Sequence, residues 1–166
     1  NGIQGITLLV DGSDQWNVNW ITETSDLTGQ YEFEDVFIGT YEVTASDIDG
    51  FYDSSTQTVT INSDVDTNMN FSMMQYGKIL VSVVNSANEP IPGATLTIGD
   101  DLFGSTDSSG TYLFMEIDEG IYNLTATASG FSSVTDNVEV TKGDVSHLDF
   151  ILYTDDEVIG GATIES

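Results

Sequence analysis

One histidine, His147, no cysteine and 28 carboxylates set the chemical repertoire of this 166-residue chain. A Ser-His-Asp or Cys-His relay needs a base beside its nucleophile, and no serine here sits in a nucleophile-elbow setting. A lone histidine without thiols also falls short of the ligand sets that hold transition metals. Paired carboxylates can cleave glycosidic bonds. With 28 acids, however, such pairs arise by number alone, and no pattern marks a cleft. The glycine motifs that cradle phosphates are absent too. The chain reads as non-enzymatic, with no cofactor.

Calcium is the one ion to weigh. Asp47-Ile48-Asp49-Gly50, Asp64-Val65-Asp66, Asp100-Asp101 and Asp155-Asp156-Glu157 supply hard oxygen ligands. None matches the twelve-residue loop with its closing glutamate. Aspartate is common in turns for its own backbone bonds, so solvated turn acids are the favoured reading. Trp16, Val18 and Trp20 alternate on one strand face. Exposed, the tryptophans would stack on sugar rings; buried, they would serve a core or an inter-subunit contact. A strand equivalent to theirs in the second half is expected to carry Leu96 and Ile98 inward. Asn70-Phe71-Ser72 and Asn123-Leu124-Thr125 are N-glycosylation acceptors. Phe71 and Leu124 should point inward, leaving Asn70 and Asn123 facing solvent.

Two basic residues against 28 acidic ones give a formal charge of −26. That charge repels phosphate backbones and anionic lipid, which excludes nucleic-acid binding. The acids are spread along the chain, as on a solvated surface. The apolar runs are short and broken by Thr, Asp and Gly, so membrane insertion is not expected. No signal peptide opens the sequence, and an exported protein is expected here in mature or trimmed form.

The elements that must position these residues read as strands. "TYEVTAS" (40–46) sets Tyr41, Val43 and Ala45 on one face; "IYNLTAT" (121–127) does the same with Tyr122, Leu124 and Ala126. Period two with β-branched and aromatic residues predicts half-buried strands. Asp11-Gly12, Asp49-Gly50, Ser109-Gly110 and Lys142-Gly143-Asp144 mark turns between them. The pattern also recurs along the chain. Gly29, Tyr31, Phe33, Gly39, Tyr41, Val43 and Ala45 answer Gly110, Tyr112, Phe114, Gly120, Tyr122, Leu124 and Ala126 at a spacing of 81. Val59, Ile61, Phe71 and Met73 answer Val138, Val140, Phe150 and Leu152 at 79. A period near 80 is too long for a solenoid and suits two small domains in tandem.

The second copy carries Pro90-Ile91-Pro92-Gly93-Ala94, then Thr106-Asp107 through Gly110 to Tyr112 and Phe114. Gly120-Ile121-Tyr122-Asn123-Leu124, Gly130-Phe131 and Phe150-Ile151-Leu152 follow. In these residues it resembles the carboxypeptidase regulatory-like domain. The resemblance implies a transthyretin-like sandwich of about seven strands, a non-catalytic accessory or structural module. In the first copy the Pro-Ile-Pro-Gly-Ala segment is expected to be missing, with "DGSDQWNVNW" in its place. A related family, the collagen-adhesin B-type repeats, cross-links a lysine to an asparagine with the help of an acid. Here Lys78 opens its strand, Lys142 lies in a turn, and Ala126 stands where the acid is expected, which speaks against that chemistry.

The resulting expectation is an all-β chain of two tandem Greek-key β-sandwich domains, transthyretin-like or Ig-like. Residues 1–76 form the first, 77–153 the second, and 154–166 a linker with an orphan strand. In that strand, Val158-Ile159-Gly160-Gly161-Ala162-Thr163-Ile164, residues 159–164 resemble residues 3–8 at a constant spacing of 156. Such a strand adds to the edge of its own second domain, begins a third domain, or pairs with another molecule. The sequence therefore reads as an extracellular or cell-surface structural protein, a filament subunit joined to copies of itself by head-to-tail strand pairing. The alternative is a carbohydrate- or ligand-binding module of an adhesin, or an accessory region of a larger secreted enzyme.

Overall fold

A computed structural model describes residues 2–12, 21–62, 67–99, 102–154 and 156. The chain divides into two compact units, Asn1–Gln75 and Tyr76–Ser166, and the all-β reading holds in both.

In the first unit, β1 (Thr7–Gly12), β2 (Ile21–Thr24), β3 (Gly39–Ser46) and β4 (Ser55–Ile61) make one antiparallel sheet. Its order is β2-β1-β3-β4. Alternation puts Leu8, Val10, Tyr41, Val43 and Ala45 on the buried face. On the outer face Thr44 pairs with Thr56 at 2.8 Å, a cross-strand hydroxyl contact.

The second unit holds β5 (Gly77–Asn85), β6 (Thr95–Ile98), β7 (Leu102–Ser105), β8 (Thr111–Ile117), β9 (Gly120–Thr127), β10 (Val134–Val140) and β11 (Val145–Leu152). They form two sheets, β10-β9-β6-β7 and β11-β5-β8. The chain crosses between sheets at β5–β6, β7–β8, β8–β9 and β10–β11, so sequence neighbours face each other across the core. β5 is the central strand, parallel to β11 and antiparallel to β8. Its Ile79, Val81 and Val83 are fully buried, at 0% exposure, in one cluster with Leu96, Phe114 and Phe150.

Each unit has its own sheet built in the same register. Leu8 pairs with Ala45 and Val10 with Val43, as Leu96 pairs with Ala126 and Ile98 with Leu124. Leu96 and Ile98 therefore correspond to Leu8 and Val10. The expected equivalence with the Trp16–Trp20 segment is incorrect. The difference lies in the hairpins: Thr7 and Thr24 pair across seventeen positions, Thr95 and Ser105 across ten. The first copy has the longer connection in sequence, and Trp16–Trp20 within it lie outside the described residues.

The other sheet separates the units. Residues 31–36 and 67–73 occupy the places of β8 and β11, yet among the described residues no strand lies between them. By the 88-residue spacing of Leu8 and Leu96, the counterpart of β5 falls before residue 1. The expected first sandwich is thus one sheet covered by two unjoined segments. Tyr31, Phe33 and Phe71 are only partly buried, whereas Phe114 and Phe150 are buried.

This contrast has an energetic consequence. Phe150→Ala is expected to destabilise the second unit by about 3–5 kcal/mol. Phe71→Ala, at the counterpart position, should cost distinctly less because its ring is already half exposed. Hydrogen exchange of β9 and β3 amides in the two variants checks the ordering.

Candidate functional site

A buried hydroxyl organises the entrance to each unit. The Thr106 hydroxyl donates to the Ile91 carbonyl at 2.6 Å and accepts the Ala94 N–H at 2.9 Å. In the first unit the Ser25 hydroxyl donates to the Ile3 carbonyl at 2.8 Å and accepts the Ile6 N–H at 2.9 Å. The backbone repeats the match: Gly93 N–H reaches Thr106 C=O, and Gly5 N–H reaches Ser25 C=O. Gly5 and Gly93 both have positive φ, 80° and 72°, a conformation that glycine adopts freely. Residues 2–6 are therefore the first copy's version of Pro90-Ile91-Pro92-Gly93-Ala94. The expected loss of that segment is incorrect. The signal was present as Ile3, Gly5, Thr7 and Leu8 against Ile91, Gly93, Thr95 and Leu96.

Below the clamp a carboxylate ties the next turn. Asp107 Oδ1 accepts the N–H groups of Ser109 and Thr111 at 2.9 and 3.0 Å. Asp26 Oδ1 accepts those of Thr28 and Gln30 at 2.8 and 2.9 Å. These bonds hold both carboxyls below the usual aspartate range, the Gln30 N–H contributing most at Asp26 and the Thr111 N–H at Asp107.

The first unit also contains a large groove. It has a volume of about 1570 Å³ and runs over Leu8, Val43 and Ala45 between Phe33 and Phe71. Small-ligand sites occupy roughly 300–1,000 Å³, so this open space is larger than a typical small-molecule pocket. Among the described residues, no backbone–backbone hydrogen bond joins 31–36 or 67–73 to another segment. The contacts there come from side chains. Tyr31 donates its hydroxyl to the Met69 carbonyl at 3.1 Å, and its ring meets Phe71 at 6.2 Å between centroids. Partial burial pushes the Tyr31 phenol above its ordinary pKa. The groove is lined both by apolar side chains such as Leu8, Val43, Phe33 and Phe71 and by polar ones such as Asp26, Glu32, Glu34 and Asn68.

Residues 78–153 match the carboxypeptidase regulatory-like domain family. The second unit is a carboxypeptidase regulatory-like domain. Beyond that domain, 131 residues are 32% identical to Bacillopeptidase F of Bacillus subtilis (strain 168). The alignment covers 75% of this chain and 9% of that protein, so the chain spans only a small part of this relative. Three solved structures have a similar outline. The Bacillus anthracis TIE protein gives a TM-score of 0.44 at 19% identity, covering 92% of this chain and 31% of its own. GBS52, the minor pilin of Streptococcus agalactiae, gives 0.43 at 14%, covering 99% and 87%. The shaft pilin SpaA of Lactobacillus rhamnosus GG gives 0.42 at 11%, covering 92% and 88%. Likenesses at this level carry no functional weight.

Within the regulatory-like domain, Asn123 is exposed on β9 and its neighbour Leu124 is buried. Asn70 is likewise exposed beside the partly buried Phe71, on one wall of the groove. Asp47 uses its carboxylate on backbone N–H groups of Asp49, Phe51 and Tyr52. Among the described residues, no group of three or more His, Cys, Asp or Glu is placed to hold a metal ion. Trp16, Trp20, residues 64–66, 100–101, 155, 157 and the strand 158–164 lie outside the described residues.

Two measurements test this architecture. Thr106→Val leaves the Ala94 N–H and Ile91 C=O without their partner and should cost about 1–3 kcal/mol in the denaturant midpoint. The aspartate turns set a pH dependence. Because both folded pKa values are lowered, their stabilisation is complete above the ordinary aspartate range and is lost as pH falls through the lowered values. Asp107→Asn should therefore reduce the difference in stability between neutral and acid solution, read from unfolding curves at both pH values.

Proposed function

We propose that this chain is a non-enzymatic extracellular structural protein, a subunit of a filament or surface fibre that assembles head-to-tail by β-strand pairing between subunits. The observation that carries the reading is the open pair of backbone edges at 31–36 and 67–73, lying over apolar side chains beside an otherwise finished sheet. Unpaired edges of this kind attract strands from other chains unless they are blocked. Val158–Ile164 is the donated strand. Donor and acceptor lie on different parts of the chain, so the contact is head-to-tail and propagates. Burial of Val158, Ile159 and Ile164 contributes up to roughly 1.5–3 kcal/mol for each side chain, before the cost of ordering. Trp16 and Trp20 are assigned to core or inter-subunit packing. Asn70 and Asn123 are assigned as glycan attachment points, which their exposure permits.

A second reading has its own support. The 32% identity to a stretch of Bacillopeptidase F fits an accessory region of a larger secreted enzyme. In that case the native polypeptide carrying these residues would show peptidase activity in a part outside them.

Deleting residues 158–166 should leave a folded monomer that no longer polymerises, seen by electron microscopy and sedimentation. Normal filaments from the truncated chain would sink the fibre reading. Intact-mass measurement of natural material decides the glycans: mass increments lost in Asn70→Gln and Asn123→Gln are expected, and an unmodified mass refutes them.

A further inference from the structure

The outer face of the sheet β11-β5-β8 is apolar at positions where the first copy carries polar residues. We infer that this face is a docking surface for the same face of a second copy of the chain. All three strands lie within the described residues, and the inference is independent of the fibre reading.

The first support is the comparison of the two copies. Ile79, Val81 and Val83 of β5 point into the core, so Leu80, Ser82 and Val84 point outward. Leu80 pairs with Leu113 on β8, and Val84 with Ile151 on β11. Met115 and Tyr153 extend the patch, and Leu113, Met115, Ile151 and Tyr153 are each 40–48% exposed. At the spacings of 81 and 79, Leu113 and Met115 answer Glu32 and Glu34, and Ile151 answers Ser72. Those three residues of the first copy are exposed as well. Outward positions of this kind accept acids and hydroxyls, so core packing does not require the apolar side chains. Contiguous exposed apolar side chains with a polar rim mark contact surfaces.

Charge selects the occupant. Glu89, Asp107, Asp118, Glu119 and Asp144 lie in connections between strands. On the outward ladder positions of the three strands Asp149 is the one acid, with Glu116 beside the irregular end of the β5–β8 pairing. A basic partner would be drawn to the acidic connections and not to this face. Two copies at −26 each repel one another wherever their acids meet. Here two apolar faces approach with few acids between them, as sheets do when they pack about 10 Å apart with interdigitated side chains. The outer face of the unit's other sheet differs: Thr95, Thr97, Thr125 and Thr127 keep it lined with hydroxyls.

The size of the face sets the strength of the contact. Three strands about 4.8 Å apart and about eight residues long, at about 3.3 Å each, present about 14 by 26 Å. A standard interface buries roughly 800 Å² per partner, about twice that flat area. The pairing is therefore weak and reversible. Chains stay single in dilute solution and pair when concentrated or held side by side.

Photo-cross-linking between isotope-labelled and unlabelled chains tests the contact in free and assembled protein alike. A diazirine side chain replaces Ser82, at the centre of the face, in the full-length chain. Cross-linked peptides joining a labelled to an unlabelled chain are expected, with both ends in β5, β8 or β11. Their yield should rise with concentration and with salt, which screens the repulsion. The Leu113→Glu/Met115→Glu variant, which carries the first copy's residues, is expected to keep its melting temperature and lose these products. Should that variant unfold, Ile151→Ser is expected to lower the yield instead. The same probe at Thr125, on the outer face of the other sheet, is expected to give no product between chains. Cross-links confined to one chain, whether to residues 1–75 or to 155–166, would overturn the inference. So would products that survive both substitutions, a yield that falls with salt, or no product at all.

Discussion

The central strand of a three-stranded sheet is the constraint on which both units turn. β5 satisfies two neighbours at once and drives Ile79, Val81 and Val83 into the core. Each such side chain is worth about 1.5–3 kcal/mol when fully buried. It also fixes the edges of β8 and β11, so that Phe114 and Phe150 close over the opposite sheet. Where no such strand is described, as in the first unit, the same residue types lie half open and the flanking segments have no ladder.

The rest of each unit is built twice with close fidelity, and the duplication is chemical as well as topological. Ser25 and Thr106 are different residues, yet each hydroxyl joins the same carbonyl and N–H. Asp26 and Asp107 tie the same turn. Tyr41 and Tyr122 both donate to a carbonyl four residues earlier, Phe37 and Asp118. These bonds pin the connections, where sheet pairing cannot reach. Gly29 and Gly110 serve the same purpose: both have positive φ, and an added Cβ would strike backbone at Ile3 and Val83 respectively. Local bonds of this kind keep the first sheet in register even where its partner sheet lacks a centre.

Much of the fold was legible because β-structure writes itself at period two. Tyr41, Val43 and Ala45, and Leu124 with Ala126, are buried where alternation placed them. The opening strands were harder to read, for a physical reason. A hairpin loop tolerates insertions at little cost, so the spacing shifts from 88 to 81 between Leu8 and Gly29 without disturbing the sheet. In sequence, Trp16-Asn17-Val18-Asn19-Trp20 alternates as a strand does, which makes it resemble a counterpart of Leu96 and Ile98. Pro90 and Pro92 made the second copy's entry conspicuous, whereas Gly2 and Gln4 hold the same positions without prolines. The groove was not legible at all. It depends on which strand stands between two others, and local pattern carries no information about that neighbour.

Charge decides what kind of association such a chain can support. Copies carrying −26 each repel one another over roughly the 8 Å Debye length of physiological salt. A broad face-to-face contact would bring many exposed acids within that distance. A narrow contact made through main-chain hydrogen bonds keeps most of those acids apart. The two open edges at 31–36 and 67–73 are lined inward by Phe33, Val36, Met69 and Met73, while acids such as Glu32 and Glu34 remain exposed to solvent. Along both segments the exposed acids and the partly buried apolar side chains therefore fall on different sides.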